Sequence, residues 1–487
     1  MKKIFKKLKN IAQNEYVLLL AILTLGFLVR LYKIDSPIAD WHSWRQADTA
    51  SVTRIYIQEG IDLLYPRYHD ISSIQTGIYN EMGFRFVEFP IFNVIHALVA
   101  TGFDQLTLET WGRLVSVFSA LISGVFLYLI GKRLLGKWGG LLSAFYFLLL
   151  PFNIYFTRVI LPEPMAVTFG VISLYLFMKF MDEEKDAALF LSGAFLALAM
   201  LIKPFVFFFT LPMIYLVYKK HGGTSLLKKF QPFAKLLVFV NIAFAPFFLW
   251  RIWINQYPLG IPFFTWAFNG DGIRFKPSWW RWIFGERLGH LILGSWGLVP
   301  FVFGILADKK DRIVRWFLFG MFLYVSIFAT ASVRHDYYQT FVIPAVSLTL
   351  AYGSLYLWKT KEFGKWITKI ILAVSVLVMF ITGALQVREF YRINHPEILI
   401  AGEAVDKIAP KDALVVAPYN GDTAFLYQTK RSGWPVVDTS FEKLIERGAD
   451  YYVSVNFADP DVEKLRNRYE VVEETSQYII IDLNKPL

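Results

Sequence analysis

Two acids carry the chemistry that this chain advertises first. Asp48 lies in Trp41-His42-Ser43-Trp44-Arg45-Gln46-Ala47-Asp48-Thr49-Ala50, and Glu88 in Arg85-Phe86-Val87-Glu88-Phe89-Pro90. Both fall in the long polar stretch after the first apolar run, which reads as a water-facing loop. A carboxylate against an aromatic wall, here Trp41 and Trp44, is suited to take a proton as a general base. The plain alternative is a surface acid paired with Arg45 or Arg54. For Glu88 the alternative is an acid in the first turn of a helix, where it complements the helix dipole.

Further along, Glu163 sits between two prolines in Arg158-Val159-Ile160-Leu161-Pro162-Glu163-Pro164, and Lys203 stands alone between apolar runs. Ionisable groups in such surroundings mark functional cavities more often than chance. A lysine there either snorkels to the interface or meets an anion, and a phosphate is the natural partner of a point charge. Arg334 and His335 precede Tyr337 and Tyr338. The first pair can contact phosphate oxygens; the tyrosines can stack on a sugar or join an interfacial aromatic belt. Arg158 is a further cation on the same turn as Glu163. Asp70, Arg85, Arg274 and Arg281 are polar residues with no assigned task. The histidines are too scattered for a zinc motif.

The elements that must position these residues are membrane helices. The chain is 55% hydrophobic and 18% charged, against about a quarter charged in a soluble domain. With Cys 0, disulfides, thiolate nucleophiles and Cys-ligated metals are excluded. The net charge of +11 clusters in short loops between apolar runs, which speaks for membrane topology and against nucleic acid. Apolar runs at 16–32, 113–131, 138–157, 164–181, 187–202, 204–219, 233–254, 290–306, 313–330, 338–357 and 366–386 predict about eleven spans. The apolar stretch 89–103 is short and reads as a helix lying at the interface. Met1 to Lys9 reads as a basic leader and the run after it as a retained first span.

With that leader in the cytoplasm, the basic residues at 132–137, 219–229, 309–312 and 359–365 all fall on its side. Segments 33–112, 158–164, 255–289 and 332–339 then face outward. The predicted domains are a transmembrane domain over 1–390 and a small extracytoplasmic α/β domain over 391–487. Strands are expected at 413–417, 451–455 and 478–481, with helices near 441–448 and 460–468.

Taken in order, these motifs resemble the GT-C fold membrane glycosyltransferases, in the branch of glycosyltransferase family 39 that includes protein O-mannosyltransferases and lipid A aminoarabinose transferases. The resemblance covers roughly the first 390 residues. Asp48 takes the place of the acid after the first span, and Glu88-Phe89-Pro90 that of the acid opening a juxtamembrane helix. Arg113-Leu114 opens the second span, Leu161-Pro162-Glu163-Pro164 follows the third, Ile202-Lys203-Pro204 supplies the lysine, and His335-Asp336-Tyr337-Tyr338 with Pro344 the late tyrosine-rich motif. The chain departs from the family in having Thr49 where a Glu often follows the first Asp, and Glu163 where an Asp is usual.

The resemblance implies transfer of a sugar from a polyprenyl-phosphate donor to a glycan, lipid or protein acceptor on the outer face of the cell membrane. It implies inverting single displacement with Asp48 as base and Glu88 beside it. Lys203 and His335, with Arg334 or Arg158, would face the phosphate, while Glu163 and Tyr338 complete the substrate contacts. No cofactor is indicated, although the carboxylates leave room for a divalent metal. The alternative function is a transporter or flippase for a lipid-linked glycan, which would show internal repeats and charges at the bilayer midplane.

Overall fold

The computed structural model describes residues 14–222, 230–307, 312–364 and 366–487. The basic leader, with Lys228, Lys229, Lys309, Lys310 and Lys365, lies outside them. The described chain forms two compact units. One comprises the chain before Asp35 with Arg113–Trp250 and Phe264–Glu389; the other comprises Asp35–Gly112, Arg251–Phe263 and Phe390–Leu487.

The first unit is helical, and its helices make the chain a multi-pass membrane protein. Leu108–Leu135, Glu163–Glu183, Phe230–Ile254 and Ile367–Tyr391 are long and apolar enough to cross a bilayer. The other apolar runs are also helical but broken, and proline explains several breaks. A residue before proline is forced out of helical geometry. Leu150 therefore turns extended (φ −54°, ψ 123°) ahead of Pro151, splitting Lys137–Leu149 from Pro151–Phe156. Lys203 does the same (φ −147°, ψ 114°) ahead of Pro204. The nearly continuous run 187–219 thus becomes Asp186–Ile202, a 3-10 turn Pro204–Phe209 and Thr210–His221.

Hydroxyls lock neighbouring helices where apolar packing alone is not directional. Ser173 and Ser192 each donate to the other's carbonyl at 2.8 Å, and Ser123 and Thr168 bond at 2.8 Å. Helix Leu298–Ala307 approaches Ile343–Lys359 so closely that a Cβ on Gly353 would lie 1.7 Å from the Pro300 carbonyl oxygen. The tryptophan-rich segment expected as an outer loop is largely helical. Trp266–Asn269 and Pro277–Trp280 lead into a π-helix Arg281–Ile292 that reaches into the predicted span.

The second unit combines helices Ser43–Glu59 and Ile91–Gly102 with a C-terminal sheet and the helices Glu397–Ile408, Thr423–Gln428, Phe441–Glu446 and Pro460–Arg466. Strands β1 (Leu414–Val416), β2 (Gly433–Trp434), β3 (Ala449–Ser454), β4 (Tyr469–Glu474) and β5 (Ile479–Pro486) are ordered β2-β1-β3-β5-β4. β1 runs parallel to β2 and β3, and β5 antiparallel to β3 and β4. The core gathers Val416, Trp434, Tyr452, Ile479 and Ile481, and Ile71 from the N-terminal part joins it. Residues 69–71 extend the sheet past β2: Ile71 N–H donates to Gly433 O and Gly433 N–H to His69 O, both at 2.9 Å.

The segment around Asp48 is not a water-facing loop. It is a helix, Ser43–Glu59, in which Arg45, Gln46, Asp48, Thr49, Ser51 and Thr53 are buried. These polar residues share the buried side with Ala47, Ala50, Val52 and Ile55, so the apolar period that reveals an amphipathic helix is missing from the sequence. The stretch 89–103 is helix Ile91–Gly102, with Phe92, Asn93, His96 and Ala97 buried.

Candidate active site

In the second unit, helical spacing puts Arg45, Asp48, Thr49 and Val52 on one face of Ser43–Glu59. With Pro66, Arg85, Glu88, Pro90 and Asn93 they line a tight cleft of about 10 Å³, the size of a single water. Asp48 is 1% exposed. The Arg85 guanidinium Nη2 lies 2.7 Å from its Oδ2, and the Thr423 hydroxyl donates to its Oδ1 at 2.7 Å. Glu88 pairs with Arg45. Asn93 Nδ2 donates to Thr49 O at 2.7 Å and to Thr53 Oγ1 at 3.1 Å, fixing helix Ile91–Gly102 against Ser43–Glu59.

Arg85 is itself held, donating to Gln75 Oε1 at 2.7 Å, and its guanidinium lies 4.7 Å from the Tyr68 ring centroid. The neighbouring Phe86 N–H donates to Gly260 O at 2.8 Å. Two buried acids matched by two buried arginines are costly to desolvate. Two more carboxyls nearby are pushed up to about 6, first of all by burial: Asp70 and Asp422. Burial also holds His69 well below its ordinary range, so it stays neutral.

In the first unit, Glu163 opens helix Glu163–Glu183 with no exposed surface, and Lys203 Nζ lies 3.2 Å from its Oε1. The turn before Glu163 is fastened by fully buried arginines. Arg30 donates to Thr157 Oγ1 at 2.9 Å and to the Gly26 and Leu148 carbonyls at 2.7 and 2.8 Å. Arg113 donates to Ile34 O at 2.9 Å, and Arg158 to Lys33 O at 2.5 Å. Proline supplies the rest of the geometry: Pro164 sits in the first turn of its helix, and Pro204 ends the helix before Lys203.

The late motif forms an aromatic cluster in the same unit. The His335 ring lies 5.6 Å from Trp266 and 5.6 Å from Tyr337, and Tyr337 lies 4.5 Å from Tyr338. Tyr324 donates its hydroxyl to Tyr338 O at 3.0 Å. Arg334 is 59% exposed and faces Asp271 at 3.5 Å, while the buried Asp336 faces Arg287 at 3.8 Å.

The structure therefore joins Asp48 with Glu88 in one cleft and Glu163 with Lys203 in one ion pair. The alternative reading of Asp48, a surface acid paired with Arg45 or Arg54, does not hold: Asp48 is buried, Arg45 serves Glu88, Arg54 lies 3.3 Å from Glu109, and Arg85 serves Asp48. Arg158 donates to a backbone carbonyl, and Arg334 stands at the surface. Arg85 gave a sequence signal only as an unassigned polar residue. Thr423 gave none, being 375 positions from the carboxylate it meets. Among the described residues, no group of three or more His, Asp and Glu is placed to hold a metal ion.

Residues 90–250 match the family model of dolichyl-phosphate-mannose-protein mannosyltransferases. No curated protein matches the chain in sequence. Solved structures do match in fold. ArnT from Cupriavidus metallidurans bound to undecaprenyl phosphate superposes with a TM-score of 0.63 at 15% identity, over 96% of this chain and 97% of ArnT. The oligosaccharyltransferase AglB from Archaeoglobus fulgidus, in complex with an inhibitory peptide and a dolichol-phosphate, superposes with a TM-score of 0.55 at 10% identity. That match covers 94% of this chain and 74% of AglB. The chain has the GT-C fold of these membrane glycosyltransferases.

Proposed function

We propose that this protein transfers a sugar from a polyprenyl-phosphate donor to a hydroxyl or amine acceptor on the outer face of the membrane. The observation that carries the reading is the Asp48 carboxylate, buried at the lining of a cleft, hydrogen-bonded at Oδ1 and ion-paired at Oδ2. The fold adds to it, since ArnT of the same fold holds undecaprenyl phosphate.

In this reading the acceptor O–H or N–H attacks the anomeric carbon and passes its proton to Asp48. The bond from that carbon to the phosphate oxygen breaks, and polyprenyl phosphate leaves with the electron pair. The displacement is single and inverts the sugar carbon. Phosphate is a good leaving group, so the work is positioning and charge stabilisation. Lys203 opposes the phosphate charge, with Glu163 orienting it. His335 and Tyr338 contact the donor head group. Glu88 holds Arg45 on the same helix face as Asp48. Arg158 anchors the turn that presents Glu163, and Arg334 meets the phosphate from the surface. The cleft admits a group larger than a water only as its lining side chains turn aside.

Incubating the purified protein with a panel of polyprenyl-phosphate sugars and candidate acceptors tests the proposal. Turnover with inversion is expected, and Asp48→Asn should abolish it while the protein still inserts in membranes. Asp48→Asn working at the unmodified rate removes the base. Translocation of the lipid-linked sugar without transfer would replace the enzyme with a flippase.

A further inference from the structure

The geometry points to Thr423, on the C-terminal segment, as a positioning residue for the Asp48 carboxylate. This inference rests on Asp48 being the base.

Thr423 opens the short helix Thr423–Gln428 and is buried. Its hydroxyl lies 2.7 Å from Asp48 Oδ1 and 3.1 Å from Trp44 O. A hydroxyl has one proton, and the shorter, charge-assisted contact takes it. Capping does not explain the side chain. Asp422 already caps this helix, accepting from Ala424 N–H at 2.7 Å.

The helix is held by contacts that do not involve Asp48. Tyr427 donates its hydroxyl to Glu109 at 2.6 Å, Arg54 donates to Tyr427 O at 2.8 Å, and Gln428 donates to Ile38 O at 2.8 Å. The Arg54 guanidinium lies 3.7 Å from the Tyr427 ring centroid. Thr423 is thus a fixed donor rather than a side chain that follows the acid. With Arg85 on Oδ2, it stops the carboxylate from rotating about its Cβ–Cγ bond. The remaining lone pairs then keep a set direction toward the cleft. A base that must meet a proton within hydrogen-bond reach gains rate from that fixed direction.

The test is a set of variants in the full-length purified protein, using a donor and acceptor pair that the unmodified chain turns over. Thr423→Val keeps the shape and removes the hydroxyl; it should lower kcat about tenfold or more with donor KM unchanged. Thr423→Ser should restore kcat to within about twofold of the unmodified protein. In an Asp48→Ala background, which removes the acceptor oxygens, Thr423→Val should cost no further stability. The same cycle followed by thermal unfolding needs no substrate and should be non-additive. Thr423→Ala replaces Thr423→Val if the latter does not fold. An inactive Asp48→Asn with a fully active Thr423→Val, or an additive thermal cycle, overturns the role of Thr423 alone. An active Asp48→Asn overturns the reading of Asp48 and this inference with it.

Discussion

Arg85 and Asp48 form a 2.7 Å ion pair in which both side chains are almost wholly out of water. Breaking such a pair from one side leaves a buried charge without compensation, at a cost of about 3–5 kcal/mol. Arg85→Met should therefore lower thermal stability markedly and abolish turnover. Arg85→Lys keeps the charge but loses the planar fork that also reaches Gln75. It should fold and run more than tenfold slower. Melting curves and initial rates of the two variants, side by side, check this; an Arg85→Met protein as stable as the unmodified one would contradict it.

Lys203 and Glu163 make opposite predictions. If Lys203 opposes a phosphate, Lys203→Ala should weaken binding of undecaprenyl phosphate about tenfold or more. Glu163→Gln removes the negative charge 3.2 Å from the ammonium. It should therefore tighten binding of the same lipid phosphate while slowing turnover. Native mass spectrometry or fluorescence titration with undecaprenyl phosphate reads both, and equal shifts of one sign for the two variants would argue against this pairing.

The sequence reveals the membrane half of this fold because apolar length is a strong signal: four described helices are long and apolar enough to cross a bilayer, and the other apolar runs are helical in shorter or broken pieces. It hides helix Ser43–Glu59, which buries Arg45, Gln46, Asp48 and Thr49 together with Ala47, Ala50, Val52 and Ile55, so polar and apolar positions do not separate into faces. In the C-terminal part, β1, β3 and β5 are apolar and were expected. β4 reads Tyr-Glu-Val-Val-Glu-Glu, without a period of two, and β2 is a two-residue strand, so neither gave a signal. Asp48, Glu88, Glu163 and Lys203 were legible as ionisable groups in unusual surroundings. Their partners were not, since the pairing of Asp48 with Thr423 is made by tertiary packing and has no local trace.

Asp70 gives a pH dependence of defined sign. Burial pushes its carboxyl up to about 6 from an ordinary 3.8. Between those values the folded state binds more protons than the unfolded state, so stability falls as pH rises from about 4 to 6 and then levels. A shift of that size corresponds to roughly 3 kcal/mol. Asp70→Asn removes the ionisation. It should melt higher than the unmodified protein at pH 7 and lose most of that advantage at pH 4. Melting temperatures at the two pH values check it; no change in the difference between the proteins would rule it out. Asp422, also pushed up to about 6, should act in the same sense.

Gly353 tests the packing of two helices in the first unit. A Cβ there would lie 1.7 Å from Pro300 O and 2.8 Å from Gly304 N, both backbone atoms of the facing helix. Backbone cannot turn aside as a side chain can, so the whole helix Leu298–Ala307 must shift. Overpacking of this kind typically costs about 1–3 kcal/mol. Gly353→Ala should lower the melting temperature while leaving the composition of every proposed substrate contact intact. Gly102 is the matched control. It is also helical, and nothing lies within 4 Å of an added Cβ, so Gly102→Ala incurs neither strain nor a clash. Gly353→Ala should therefore be the more destabilised of the two in detergent melting curves, and the reverse order would mean that these two helices are not in the contact described.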